Sequence, residues 1–263
     1  MAGSFRCLSV RQPWAWAILS GAKDIENRTW KTDYRGAIVI HAGSSKSDFN
    51  KAAKANTSKL PPLQLPFSAL VGVVDVVDIV PLCEELESNN WAYGPYCWKL
   101  ANPRLFAKPI PAKGKLNLYT LDAHLAAEVE EAMPSAKGPV LSADEKAWLE
   151  ILAEKEGDED AKYPYLWSSY FELNDPENAL RMAEIGVAKW GDTQKYVDRA
   201  LAKGLGGELE GALEDIASAL KLDSENARAY FVRSLVNENL DRPDLAAKDM
   251  EKAKSLDSSF ACE

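Results

Sequence analysis

Hydrophobic positions along the chain change period more than once, and the changes mark its elements. Residues 5–10 alternate as a short strand. Pro13 then takes a first-turn helix position, Trp14, Ala17 and Ile18 follow helical spacing, and Gly21 supplies the stop. Residues 24–30 alternate again: if extended, Ile25, Asn27 and Thr29 face one way and Glu26, Arg28 and Trp30 the other. A turn at Tyr34-Arg35-Gly36 leads into the strand AIVIHA. The polar stretch 43–59, followed by Pro61 and Pro62, predicts a loop or short helix. The longest β-branched run, residues 69–80, predicts a central strand. Asp75 and Asp78 on it are three apart, so they face opposite sides and do not act as a carboxylate pair unless a bulge intervenes. Further strands are expected over 96–100, 105–110 and 115–121. Asp122 then caps an amphipathic helix carrying Leu125, Val129 and Met133, and Pro134 closes the domain.

Beyond that point the period is helical and the sequence repeats itself. Tyr165, Tyr196 and Tyr230 each start a helix, turns follow at Asn174-Asp175-Pro176, Gly206-Gly207-Glu208 and Asp241-Arg242-Pro243, and a second helix completes each pair. Small residues such as Ala212, Ala219, Ala246 and Ala253 permit close helix approach. A helix over 142–156 is expected to lead the stack, with GDEDAK as an exposed acidic connection. Two domains result, 1–135 and 142–263, of overall α+β class.

With 46% apolar and 27% charged residues the composition is that of a globular chain. The start lacks the pattern of a secretory signal and no run is apolar enough for a membrane span, so the expected location is cytoplasmic, or nuclear in a eukaryote. Four scattered cysteines and two histidines argue against a metal site, and no cofactor is expected. The net charge of −9 hides an asymmetry: up to Asp122 there are 15 Lys and Arg against 10 Asp and Glu, and after it 16 against 30. A locally basic first half attracts phosphate, whereas an acidic helical half favours protein partners or simple solvation.

Three ordered blocks carry a family resemblance. LSVRQPWAWAILSGAKDIENRTWKTDYRGAIVIHAG resembles the opening of an ASCH (activating signal cointegrator homology) domain, including its GxKxxExR motif at Gly21, Lys23, Glu26 and Arg28. FSALVGVVDVVDIV resembles the family's central strand, and YCWKLANPRLFAKPIPAKGKLNLYTLD its closing segment. The resemblance implies a PUA-like β-barrel with peripheral helices, related to RNA-binding and modified-base-reading domains. The second half resembles the tetratricopeptide repeat, most clearly over GGELEGALEDIASALKLDSENARAYFVRSLVNENLDRPDLAAKDMEKAKSLDSS, while the first copy departs by small gaps. Repeats of this kind imply a concave surface for an unidentified protein or peptide.

The motif's chemistry suits a nucleobase or phosphate. Lys23 and Arg28 are donors to phosphate or a base oxygen, Glu26 accepts from an exocyclic amine, and Trp14, Trp30 or Trp98 stacks on a base. Gln12, Arg35 and Lys113 complete the candidate binding set. The structural alternative is a Glu26–Arg28 salt bridge on a solvated strand with three core tryptophans, and His41 reads as a core histidine. The favoured partner is RNA, single-stranded nucleic acid or a modified nucleoside. Two other readings stand beside it: a hydrolase and a pure protein-interaction scaffold. Some ASCH proteins are amidohydrolases acting on N4-acetylcytidine, and ribonuclease activity also occurs in the family. Those amidohydrolases resemble a GxKxxTxR form, however, with threonine where this chain has Glu26, so a catalytic role here falls to Lys23 and Glu26 as a general-base pair. No phosphate-cradling GxxxxGK[ST] loop is present, and two histidines suggest no serine-histidine-acid arrangement.

Overall fold

A computed structural model describes residues 4–55 and 65–261 and divides the chain into two compact units, Met1–Lys162 and Tyr163–Glu263. The first contains strands β1 (Arg6–Val10), β2 (Ile25–Arg28), β3 (Gly36–Ala42), β4 (Ala69–Pro81), β5 (Tyr96–Pro111) and β6 (Leu118–Thr120). Helices α1 (Trp14–Leu19), α2 (Ser47–Ala55), α3 (Glu84–Glu87), α4 (Ala123–Ala132) and α5 (Ala143–Glu156) lie between and after them. The strands form one six-stranded half-barrel in the order β2-β5-β4-β3-β1-β6, with β1 and β3 parallel and the other pairs antiparallel.

Period-two patterning builds two cores, one on each face of the sheet. Leu8, Ile38, Ile40, Val74 and Val76 point to one side and pack with Ile18 and Leu19 of α1. Their neighbours Cys7, Val39 and Val73 point to the other and pack with Ala126 and Val129 of α4. The β-branched run is central as expected, between β5 and β3. Asp122 caps α4 by accepting from the Leu125 amide at 2.9 Å.

Several expectations change. Residues 96–100 and 105–110 belong to one continuous strand, because Asn102 adopts φ 53° and its neighbours absorb register shifts against β4 without leaving the ladder. The last strand is shorter than 115–121. Asp75 and Asp78 remain separate despite those shifts, Asp75 pairing with Arg104 at 2.6 Å and Asp78 with Arg35 at 3.1 Å. The segment after Gly43 contains α2, while Lys59, Pro61 and Pro62 lie outside the described residues. The helix expected to lead the repeats instead groups with the first unit, where Trp148 packs on Trp16 with ring centroids 5.4 Å apart. GDEDAK is exposed over 158–161 as expected, but it is helical from Glu159: Asp158 accepts from the Ala161 amide at 3.0 Å and Glu159 and Asp160 occupy the first turn of α6 (Glu159–Glu172), where negative charge favours a helix N-terminus. The unit boundary falls within α6, which begins before Tyr165.

The rest of the chain is α7 (Pro176–Lys189), α8 (Thr193–Leu205), α9 (Leu209–Leu222), α10 (Ala227–Asn239) and α11 (Pro243–Leu256). Helices α8/α9 and α10/α11 form expected pairs, and α6 meets α7 where Tyr163 packs against Gly186 and Arg181 lies over the Tyr170 ring. Arg199 forks onto Asp215 at 2.9 and 2.5 Å, and Arg233 onto Asp249 at 2.8 and 2.6 Å, a repeated two-bond clasp between the helices of a pair.

Gly72 in β4 is fixed by crowding, since a Cβ there would strike the Arg104 carbonyl oxygen of the neighbouring strand and crowd Leu19. Gly72→Ala is expected to cost about 1–3 kcal/mol through overpacking. Gly138→Ala, where nothing lies within 4 Å of the added carbon, is expected to be neutral. Thermal unfolding followed by circular dichroism checks the pair, and an unshifted transition in Gly72→Ala would contradict this packing.

Candidate nucleotide-binding cleft

Gly21, at φ +79°, ends α1 in a conformation that favours glycine, and the turn is closed by the Lys23 amide donating to the Ala17 carbonyl at 2.9 Å. This places the Lys23 side chain underneath edge strand β2. There Glu26 and Arg28, two residues apart, share a face as their spacing predicts.

The three charges form one network. Lys23 is only 2% exposed; its Nζ donates to the Ile25 carbonyl, sits 3.6 Å from Glu26 Oε2 and lies 5.3 Å from the Trp91 ring centroid. Burial pushes the Lys23 amine below its usual range, opposed by the negative charges of Glu26, Glu156 and Asp24. Arg28 reaches Glu26 Oε1 at 2.9 Å and donates to the Ser9 carbonyl at 3.0 Å, while its Nε is buried without a partner. The guanidinium is therefore held through Nη2 alone by these two contacts.

These residues line an open cleft of about 480 Å³ together with Ser9, Arg11, Trp14, Asn27, Tyr93 and Leu116. The sequence-derived set therefore divides. Lys23, Glu26, Arg28 and Trp14 converge. Trp98 does not: it is wholly buried in the core packed by α1, and Trp30 meets it edge-on at 4.9 Å. Trp30 packs on the same core. Gln12 is also committed internally, donating to the Pro66 carbonyl at 3.0 Å and accepting from the Trp16 amide at 3.1 Å. Arg35 is held by Asp78 and nearby carbonyls, and Lys113 is exposed; neither lines the cleft. His41 is buried, its Nε2 3.0 Å from the Ala112 carbonyl oxygen, and burial lowers its basicity.

Sequence reasoning missed other contributors, Ser9 and Arg11 among them. Asn27 accepts from the amides of Tyr93 and Gly94 at 3.1 and 2.9 Å and donates to the Trp91 carbonyl at 2.7 Å, pinning the loop that carries Tyr93. Tyr93 supplies a hydroxyl to the wall and donates to Glu156 at 3.3 Å. Leu116, 90% exposed and lining the cleft, falls within the strand expected over 115–121 but before the observed β6. Only the residue types of Asn27 and Tyr93, not their spacing, hinted at these roles. Among the described residues no His, Cys, Asp and Glu side chains cluster as a metal site requires, and no helix is long and apolar enough to cross a membrane.

Because Lys23 holds its proton less tightly when folded, its protonation opposes folding at neutral pH. That penalty is relieved as pH rises from its lowered folded value toward the ordinary 10.5. Wild type is therefore expected to gain stability relative to Lys23→Met between about pH 7 and about pH 10. Urea unfolding of both proteins across that range tests it; a stability difference that does not change with pH would refute the burial of this charge.

Comparison with known proteins finds relatives for each part of the chain. Residues 8–110 match the model of the ASCH domain. Activating signal cointegrator 1 of Homo sapiens is 28% identical over 131 residues, which cover 45% of this chain and 22% of that protein. Its Mus musculus counterpart is 26% identical over the same length and shares. The chain thus spans about a fifth of these two curated relatives. Tetratricopeptide repeat protein 36 of Mus musculus is 33% identical over 130 residues, covering 43% of this chain and 69% of that protein. Among solved structures, MamA 41-end from Desulfovibrio magneticus RS-1 superimposes with a TM-score of 0.35 at 21% identity, covering 42% of this chain and 64% of that one.

Proposed function

This chain belongs to the tetratricopeptide repeat proteins and carries an ASCH domain; we propose that it binds single-stranded RNA or a modified nucleoside in the cleft and a protein through its repeats. The observation that supports this reading is the convergence of Lys23 and Arg28 on one carboxylate, in an open cleft walled by Trp14 and Tyr93. Such a cleft offers a stacking surface with donors and an acceptor at its floor, which suits the edge of an unpaired base. For the repeats, an apolar recess of about 190 Å³ bordered by Phe171, Leu201, Leu205 and Leu235 supports a protein or peptide partner.

A second reading, hydrolysis of a modified nucleoside or RNA, draws on a different observation. Burial lowers the Lys23 amine and raises the Glu156 carboxyl beside one cleft, bringing both toward neutrality as acid–base chemistry requires.

The full chain, titrated with single-stranded RNA, single-stranded DNA and duplex over a salt series, distinguishes the readings. Binding is expected to prefer single-stranded RNA and, with few phosphate contacts, to weaken only modestly with salt. Lys23→Ala and Arg28→Ala are each expected to weaken it about tenfold or more. Substrate recovered unchanged supports binding, whereas a cleaved or altered base supports the hydrolase. Failure to bind at low salt, or binding indifferent to both substitutions, would remove the cleft from consideration.

A further inference from the structure

Helix α5 lies outside the residues matched to the ASCH domain, yet it is docked beside the cleft. Trp148 packs on Trp16. Gly157 lies so close to Asn90 that an added Cβ would strike that side chain. Lys162 donates to the carbonyls of Glu87 and Asn89 at 2.6 and 2.9 Å. These contacts bracket the last turn of α5 and fix Glu156, whose Oε2 accepts from the Tyr93 hydroxyl at 3.3 Å.

We infer that α5 backs the ligand site from behind Tyr93 and that Glu156 is a positioning residue, holding the Tyr93 hydroxyl so that its oxygen accepts from an exocyclic amine of the bound base. This rests on the reading of the cleft as a nucleotide site and adds a base preference to it. A tyrosine hydroxyl carries one hydrogen; once that hydrogen is given to a carboxylate, only lone pairs face the ligand. Lys23 and Arg28 supply donors to the lining of the same cleft. An acceptor and donors together fit a base edge that pairs an amine with a ring or carbonyl acceptor, as cytosine presents and uracil does not.

The arrangement makes the preference depend on acidity. Burial pushes the Glu156 carboxyl above its usual 4.5 and the nearby Asp48 charge adds to the shift, while the Tyr93 hydroxyl, the Lys23 charge and the Trp14 indole oppose it. When pH falls through that raised value, Glu156 gains a proton and donates it to the Tyr93 oxygen. The tyrosine hydrogen then turns to the cleft, and the acceptor is lost.

The test uses the full chain with oligocytidine and oligouridine, followed by fluorescence anisotropy across about pH 5 to 8. Wild type should prefer oligocytidine at the upper end and lose that preference on acidification. Tyr93→Phe should lose it at every pH, by roughly fivefold for one neutral hydrogen bond. Glu156→Gln, which does not titrate, should show a preference independent of pH. A folded Glu156→Gln that keeps the acid-dependent drop, or a Tyr93→Phe that keeps the preference, overturns this inference alone. Binding of wild type to neither oligonucleotide overturns the nucleotide reading with it.

Discussion

A desolvated ammonium is expensive to hold, and the first unit is organised around holding one. Lys23 is removed from water by the α1–β2 turn and by Trp91, so it needs fixed partners within reach. Glu26 is one and the Ile25 carbonyl the other. Glu26 in turn is divided between Lys23 and Arg28, and Arg28 is anchored to the end of β1 through Ser9. Three chain segments therefore meet at one carboxylate, and the position of β2 against β5 is the condition for all of it. The cleft follows from this arrangement rather than preceding it: burying the charge network leaves Lys23, Glu26 and Arg28 along the lining of an open recess.

The same network alters what charge says about ligands. The basic excess of residues 1–122 suggested attraction to phosphate, but the compact unit runs on to Lys162 and takes in α4 and α5. Over those 162 residues there are 19 Lys and Arg against 21 Asp and Glu, a formal charge of −2. Net charge thus gives no long-range pull on a polyanion, and Lys23 and Arg28 are each already neutralised locally. What remains is short-range: oriented donors, an acceptor and aromatic faces. That inventory selects for the base more than for the phosphate, which is why the candidate ligand is a nucleoside unit of a flexible strand and not a duplex backbone.

Legibility in the sequence followed the range of the interactions. Gly21, Lys23, Glu26 and Arg28 were readable because a helix stop and a two-residue strand period are local rules, and the structure brings them together as those rules require. The fate of a tryptophan is not local. Trp14 and Trp98 are alike as residues, but one lines the cleft and the other is wholly buried in a core assembled from α1 and strands distant in sequence. Glu156 was unreadable for the same reason: its tyrosine partner is 63 residues away in sequence. The continuous β5 escaped because Asn102 and Pro103 read as a break, whereas a single left-handed residue lets the strand continue through a bulge.

The repeats show how a locally consistent pattern can still hide one of its copies. Seven residues after the N-caps Glu208 and Arg242 stand Asp215 and Asp249, each clasped by an arginine; seven after Asp175 stands Met182, buried and apolar. The first pair thus replaces an ion pair with packing, a change that costs little because a well-packed apolar residue serves as well as a buried charge pair. The exchange propagates. Eleven residues after the same caps come Ala219 and Ala253, but Gly186 in the first pair, where the Tyr163 hydroxyl fills the space a methyl group would take. Tyr163 stacks at a tilt on Trp190, with ring centroids 4.8 Å apart, so aromatic volume does in the first pair what the charged clasp does in the others. A repeat defined by backbone geometry tolerates this substitution of one interaction for another, while a repeat sought through identical side chains fades at the copy that made it.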